Sequence, residues 1–150
     1  MLTWRICRQG HQRLDGEGAR LNGGRWNSEG VAAVYTSSSL ALAALEYLVH
    51  VDIEDVPDDL VAMAIEVPDD VGAQTVHLRD LPADWNQGPD HPACVTIGDA
   101  WLAEGAALLL RVPSASVPED GNLLINPRHP RIRDVVVRSV RPFAFDPRLL

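Results

Sequence analysis

Six side chains carry chemistry that their surroundings in the chain do not explain: Arg5, Arg25, Tyr35, Glu46, Ser114 and Asn126. Glu46 stands in LALAALEYLVHV (40–51), where only it and His50 interrupt the apolar run. Four residues apart, the two share a helix face. A helix that is apolar almost all round reads as buried, and a buried carboxylate needs a cation or hydrogen-bond donors to stay ionised. Arg5 and Arg25 are the partners the sequence offers. The solvent edge of a helix packed on its other sides accounts for the spacing equally well. Arg25 lies in NGGRWNSEG (22–30). Gly and Asn let the backbone there take a sharp path. The Arg fork suits a carboxylate or a phosphate, and Trp26 supplies a wide apolar face that could tie the turn to the body. A plain β-turn with a solvated Arg is the alternative.

Tyr35 closes a strand just before the Glu46 helix, where ligand pockets often form; a core aromatic with a satisfied hydroxyl fits as well. Ser114 sits in VPSAS with no G-x-S-x-G around it, so it is no hydrolase nucleophile. It is a hydrogen-bonding serine or part of a kinked edge strand. Asn126 and His129, in INPRHP, occupy a turn that Pro127 and Pro130 stiffen. Other templates fail. There is no P-loop, and GEG at 16–18 continues as ARLNGG rather than as a dinucleotide fingerprint. His91 and Cys94 have a metal-compatible spacing, but no second pair completes a site, so no metal is expected.

Pattern suggests the scaffold that carries these residues. LTWRIC (2–7) is expected as a first strand with Leu2, Trp4 and Ile6 on one face and Arg5 on the other. Residues 9–30 read as loop. VAAVYT (31–36) is a second strand, and SSS (37–39) offers caps for a helix over 40–51. LVAMAIEV (60–67) and QTVHL (74–78) read as strands, and LPADWNQGPDHPA as irregular. A helix is expected from 97, capped near Asp99, running toward a strand at LLLRVPSASV; NLLINPRHP (122–130) gives a strand end and a turn, and DVVVRSVRPFAF (134–145) a final strand. Six or seven strands with two helices that do not alternate strictly point to an α+β fold.

With 150 residues and 46% hydrophobic content, the chain is expected to be one domain over 1–150 with a real core. No run of 18 apolar residues exists, so no membrane partner is expected, and the start has no signal-peptide pattern. Cys7 and Cys94 give no disulfide framework and read as inert thiols; a cytoplasmic protein is expected. The net charge of −8 argues against direct binding of nucleic acid. It is unevenly spread: Arg5, Arg8, Arg13, Arg20 and Arg25 bias the N-terminal stretch, whereas 52–70 is acidic. A local arginine cluster is what an anionic small ligand requires, although a solvated surface explains the acidic run.

WR at 4–5, GGRWN at 23–27, Tyr-Thr at 35–36, ALEYLVH at 44–50, VPSA at 112–115 and NLLINPRHP at 122–130 form a combined pattern over nearly the whole chain. It resembles the RES domain family, named for its Arg, Glu and Ser: toxin halves of bacterial toxin–antitoxin pairs whose antitoxin is a helix-turn-helix (Xre-type) protein. The resemblance implies a fold like the ADP-ribosyltransferases and an activity in which NAD+ is substrate, with no prosthetic group. Members break the bond between nicotinamide and ribose, passing the ribosyl carbon to water or phosphate; transfer to a protein has also been proposed. Carried over position by position, Arg5, Arg25, Tyr35, Glu46 and Ser114 fall on the family's active site, and Asn126 in a further family motif. On this view Glu46, Arg5, Tyr35 and Ser114 are catalytic, and Arg5, Arg25, Tyr35, Ser114 and Asn126 contact NAD+. Loop 84–98 and the serine-rich YTSSS depart from the family pattern without removing a key residue. The resemblance admits three functions: an NAD+-degrading toxin, a protein ADP-ribosyltransferase, and a silent module that only binds its antitoxin, the last disfavoured by the intact residue set. A pocket mouth lined by Arg5, Arg25 and Tyr35 is expected to be locally positive. Assembly into an oligomer within a toxin–antitoxin complex is compatible with all three.

Overall fold

The computed structural model describes residues 1–150. Its centre is β1 (Leu2–Arg8), flanked by β2 (Val34–Ser37) and β3 (Leu60–Glu66), both antiparallel to it. β3 is apolar on both faces, with Leu60 through Ile65 all buried, because side chains cover the sheet on both sides there. β4 (Ala73–Thr75), β5 (Leu109–Pro113), β6 (Gly121–Ile125) and β7 (Val136–Pro142) complete a seven-stranded sheet in the order β4-β5-β6-β2-β1-β3-β7. Only the β4–β5 pair is parallel. A mixed sheet with few helices is the expected α+β class.

One seam in this sheet opens a cleft. β1 and β3 share register from Leu2↔Glu66 to Arg8↔Leu60, but β1 and β2 share only Trp4↔Ser37. Thr3 stitches the closed end, its Oγ1 lying 2.5 Å from Thr36 Oγ1 and donating to the Ser37 carbonyl at 2.9 Å. Past that stitch the strands part. Arg5 and Ile6 are left on one lip, Val34 and Tyr35 on the other.

The helices are α1 (Glu17–Asn22), α2 (Leu40–Leu48) and α3 (Pro92–Glu104). α1 lies inside the stretch expected to be loop. Its six residues are too few for a clear period, and it ends at Gly23, whose positive φ of 69° glycine adopts without steric penalty. α2 starts as expected, with Ser39 Oγ accepting from the Leu42 amide at 3.1 Å, but stops at Leu48 rather than 51. It is not the buried helix its composition suggested: Leu42 and Ala43 are buried, while Leu45 and Val49 are exposed.

α3 corrects the expectation most. It begins at Pro92, capped by His91, whose Nδ1 accepts from the Ala93 amide at 3.2 Å. Proline suits a first helical turn because its missing N–H would have no partner there, so the proline-rich segment taken as irregular contains a helix start. Asp99 is no cap but a mid-helix residue, whose carboxylate reaches across to Ser28. The second and last strands start later than expected, at Val34 and Val136, and the strand expected over 74–78 is only Ala73–Thr75. Beyond β7, Phe143 and Phe145 pack with Ile6, Leu60 and the Ala43 side of α2.

Candidate active site

Glu46 projects from α2 toward the β5–β6 end of the sheet. Its Oε1 accepts from Ser114 Oγ at 2.6 Å and from Asn122 Nδ2 at 2.7 Å. Neither Arg5 nor Arg25 pairs with it; the donors the carboxylate requires are neutral ones from the sheet. Ser114, just past β5, is fully buried. Its hydroxyl donates to Glu46 and accepts from the Ser116 and Val117 amides at 3.1 Å each, which fills a hydroxyl's one donor and two acceptor positions. In this structure each hydrogen-bonding position of the Ser114 hydroxyl is filled from within the protein, one of them by Glu46.

The 22–30 turn is built around its aromatic. Trp26 is buried, its ring 6.3 Å from that of Trp85. Its amide donates to Tyr35 Oη at 3.0 Å, and Tyr35 Oη donates to Asn27 Oδ1 at 2.6 Å. Asn27, itself buried, donates from Nδ2 to the carbonyls of Ala19, Ser28 and Val31. Tyr35 lines the cleft, yet its hydroxyl is a clamp on this turn. Burial pushes its pKa well above the ordinary phenol value, opposed by the Trp26 amide. From the other side Asp99 accepts from the Ser28 amide at 2.9 Å and hydroxyl at 2.5 Å. Beside it, Gly98 lets α3 pass directly against the Trp26 carbonyl, where a Cβ would collide.

So held, the turn presents Arg25. Its Nη1 donates to the Trp85 carbonyl at 2.9 Å and Nη2 to the Gly88 carbonyl at 2.6 Å, with the guanidinium 5.9 Å from the Trp85 ring centre. Arg25 is thus latched to the 85–88 segment rather than free in solvent, with three of its five N–H donors uncommitted. No local pattern around Arg25 points to this partner, because the segment is sixty residues away.

The N-terminal arginine bias resolves into two groups. Arg8, Arg13 and Arg20 pair with Asp59, Asp15 and Glu17. Arg5 and Arg25 have no carboxylate partner, and both line the cleft. Arg5 makes only a 3.3 Å contact to the Arg13 carbonyl. The cleft that opens along the β1–β2 seam has a volume of about 880 Å³ and is walled by Arg5, Arg25, Tyr35 and Glu46, with Trp4 and Tyr47 as further aromatic surface. Its rim also carries Glu29 and Asp90, so the positive character expected of the mouth is confined to the two guanidiniums. A second cavity of about 390 Å³ shares Arg25, Glu46, His50 and Pro89 with the first.

The structure brings Arg5, Arg25, Tyr35, Glu46 and Ser114 together and leaves Asn126 out. Asn126 is buried after β6, its Oδ1 accepting from the Arg128 amide at 3.0 Å and its amide donating to the Leu108 carbonyl. It shapes the proline-rich turn and does not line the cleft. Asn122, four residues earlier, does. In the sequence Asn122 opens the NLLINPRHP pattern, but nothing beside it marks it as a cleft residue. No group of three His, Cys, Asp or Glu side chains could hold a metal ion; His91 caps α3 and contacts Asp84, and Cys94 is buried. No helix is long and apolar enough to cross a membrane.

A family model described as RES domain matches residues 2–146. The chain is 40% identical over 153 residues to a "Prs ADP-ribosylating toxin" of Sphingobium sp. (strain YBL2), covering 98% of this chain and 95% of that one. It is 41% identical over 136 residues to a "Toxin Res" of Yersinia enterocolitica, covering 89% and 88%. Among solved structures, it resembles a chain from the M. tuberculosis MbcT–MbcA toxin–antitoxin complex with a TM-score of 0.80 at 20% identity, covering 95% of this chain and 84% of that one. At that identity the likeness bears on the fold.

Proposed function

This chain belongs to the RES domain family, and on that premise we propose that it is the toxin of a toxin–antitoxin pair that degrades NAD+ in the cytoplasm by cleaving its nicotinamide–ribose bond. The observation that carries the reading is the seam cleft. Its walls carry the Glu46 carboxylate, held by Ser114 and Asn122, and two guanidiniums, Arg5 and Arg25, that have no carboxylate partner. Arg forks bind phosphate oxygens well, and a pyrophosphate would meet Arg5 and Arg25. The bond between ribose C1′ and the nicotinamide nitrogen breaks with both electrons leaving on nicotinamide. The ribose carbon becomes oxocarbenium-like, as in glycoside hydrolysis. Glu46 stabilises that positive charge electrostatically. Water or phosphate then attacks C1′; water gives up its proton in forming ADP-ribose. Trp4 and Tyr47 offer flat apolar faces for the rings.

The test is to incubate the purified protein with NAD+, with and without phosphate, and identify the products. Nicotinamide with ADP-ribose, or with its 1″-phosphate when phosphate is present, is expected. Intact NAD+ under both conditions overturns the reading.

Transfer to a protein is the second reading, favoured by the name of the Sphingobium relative. It uses the same bond cleavage and differs only in the acceptor. Labelled ADP-ribose appearing on a protein of a cell extract, with little free ADP-ribose, would distinguish it. The partner we propose is a helix-turn-helix antitoxin that covers the cleft mouth, beside Val49, an exposed apolar residue that lines the second cavity with Glu46. If it excludes NAD+, the two must compete by reciprocal linkage. Equal antitoxin affinity with and without a non-hydrolysable NAD+ analogue would place inhibition elsewhere.

A further inference from the structure

Asn122 stands at the start of β6, in ladder register with Ser37 on β2 and Val112 on β5. Its amide has two contacts that fix its orientation. Oδ1 accepts from Ser37 Oγ at 2.7 Å, and Nδ2 donates to Glu46 Oε1 at 2.7 Å. Turning the amide over would set its carbonyl against a carboxylate oxygen, acceptor against acceptor, so only one arrangement satisfies both neighbours.

Both protein donors that reach Glu46, Asn122 Nδ2 and Ser114 Oγ, end on the same oxygen. Oε2 receives no hydrogen bond from the protein. An ionised carboxylate only accepts, and its lone pairs lie in one plane. Two donors arriving at Oε1 from separate segments, one on β6 and one just past β5, fix that plane and leave Oε2 uncommitted, on a residue that walls both cavities. The donors sit at or just beyond strand ends, which hold a group more closely than loops do.

We propose that Asn122 is a positioning residue of the reaction: with Ser114 it pins Oε1 of Glu46, so that Oε2 alone meets the ribose at the breaking bond. This rests on the role given to Glu46 above. Ser37 is the outer member of the relay, since its hydroxyl sets which way the Asn122 amide faces.

The test compares NAD+ turnover in Asn122→Ala, Asn122→Asp, Glu46→Gln and the Glu46→Gln/Asn122→Ala double variant, with folding checked by thermal unfolding. Asn122→Ala should lower kcat by about 10- to 10²-fold, the scale of one hydrogen bond to a charged group, and change KM by less than about threefold. Asn122→Asp keeps the shape but sets a second carboxylate against Oε1, and should lose at least as much. Asn122→Ser, small and neutral, replaces any variant that does not fold. In the Glu46→Gln background Asn122→Ala should cost nothing further, because it acts through the charge already removed. Parental turnover in Glu46→Gln overturns the role of Glu46 itself. A large loss in Glu46→Gln, with parental kcat in Asn122→Ala or with losses that multiply in the double variant, overturns the positioning role alone.

Discussion

The cleft has two walls held in different ways. On one, Glu46 is fixed by side chains from β6 and from the residue just past β5, which meet at a single oxygen. On the other, Arg25 is fixed by backbone carbonyls of an irregular segment and by the ring of Trp85. The carboxylate wall is built on a strand ladder and is fully hydrogen-bonded behind the charge. The arginine wall is loop against loop, and its order comes from a buried tryptophan, an asparagine that donates to three carbonyls, and a glycine that lets α3 come close. Under the proposed function, the group whose charge would face a developing cation sits on the stiffer support. The group that would grip a flexible pyrophosphate sits on the softer one, where its unused donors allow some adjustment.

The comparison breaks most sharply at Glu46. Glu46→Gln retains the shape and removes the charge, and NAD+ turnover should fall at least about 10²-fold, the scale of losing one electrostatic stabiliser. Growth inhibition on expression should vanish with it. Next comes Gly98→Ala, which leaves the carboxylate wall untouched and drives a methyl group into the Trp26 carbonyl. Overpacking of this kind costs about 1–3 kcal/mol, read as a drop in Tm of several degrees. The KM for NAD+ should rise more than kcat falls. A variant as stable and active as the parent would mean that the 22–30 turn is not braced by α3.

Tyr35→Phe separates clamp from stacking surface. Phenylalanine keeps the ring but leaves the Trp26 amide and Asn27 Oδ1 without their partner, so a loss of about 1–2 kcal/mol in thermal or denaturant unfolding is expected. Unchanged stability with altered KM would return Tyr35 to ligand contact alone. The alkaline limb gives a second reading. The folded pKa of Tyr35 lies above its unfolded value, so its contribution is complete below about pH 10 and is lost as pH rises beyond that. Tyr35→Phe should flatten this limb. Buried Cys7 and Cys94, also raised by desolvation, leave a remainder. The smallest effect belongs to Arg25→Lys. A point charge cannot span the Trp85 and Gly88 carbonyls and a phosphate together, and a KM increase of roughly three- to tenfold with kcat nearly kept is expected. Full activity would mean that the fork is not used.

Local pattern alone determined much of this molecule. Alternation placed β1, the unbroken apolar run placed β3, and serines before an apolar helix placed the start of α2. The residue types and their order also marked Arg5, Arg25, Tyr35, Glu46 and Ser114 as a set. These signals lie within a few residues of one another or in a family pattern, so they survive without coordinates. A proline can end one element or begin another, and at Pro92 local reading chose wrongly, because the residue itself is the same in both roles. Tertiary structure decided the rest. Whether Glu46 met an arginine or a neutral donor depended on which strands lie across from α2, and its partners are 68 and 76 residues away. Asn126 closes the turn that its neighbouring prolines announce, whereas nothing beside Asn122 tells that it faces the cleft. The choice comes from the register of β6 on β2 and β5, a property of the sheet that no short stretch of sequence encodes.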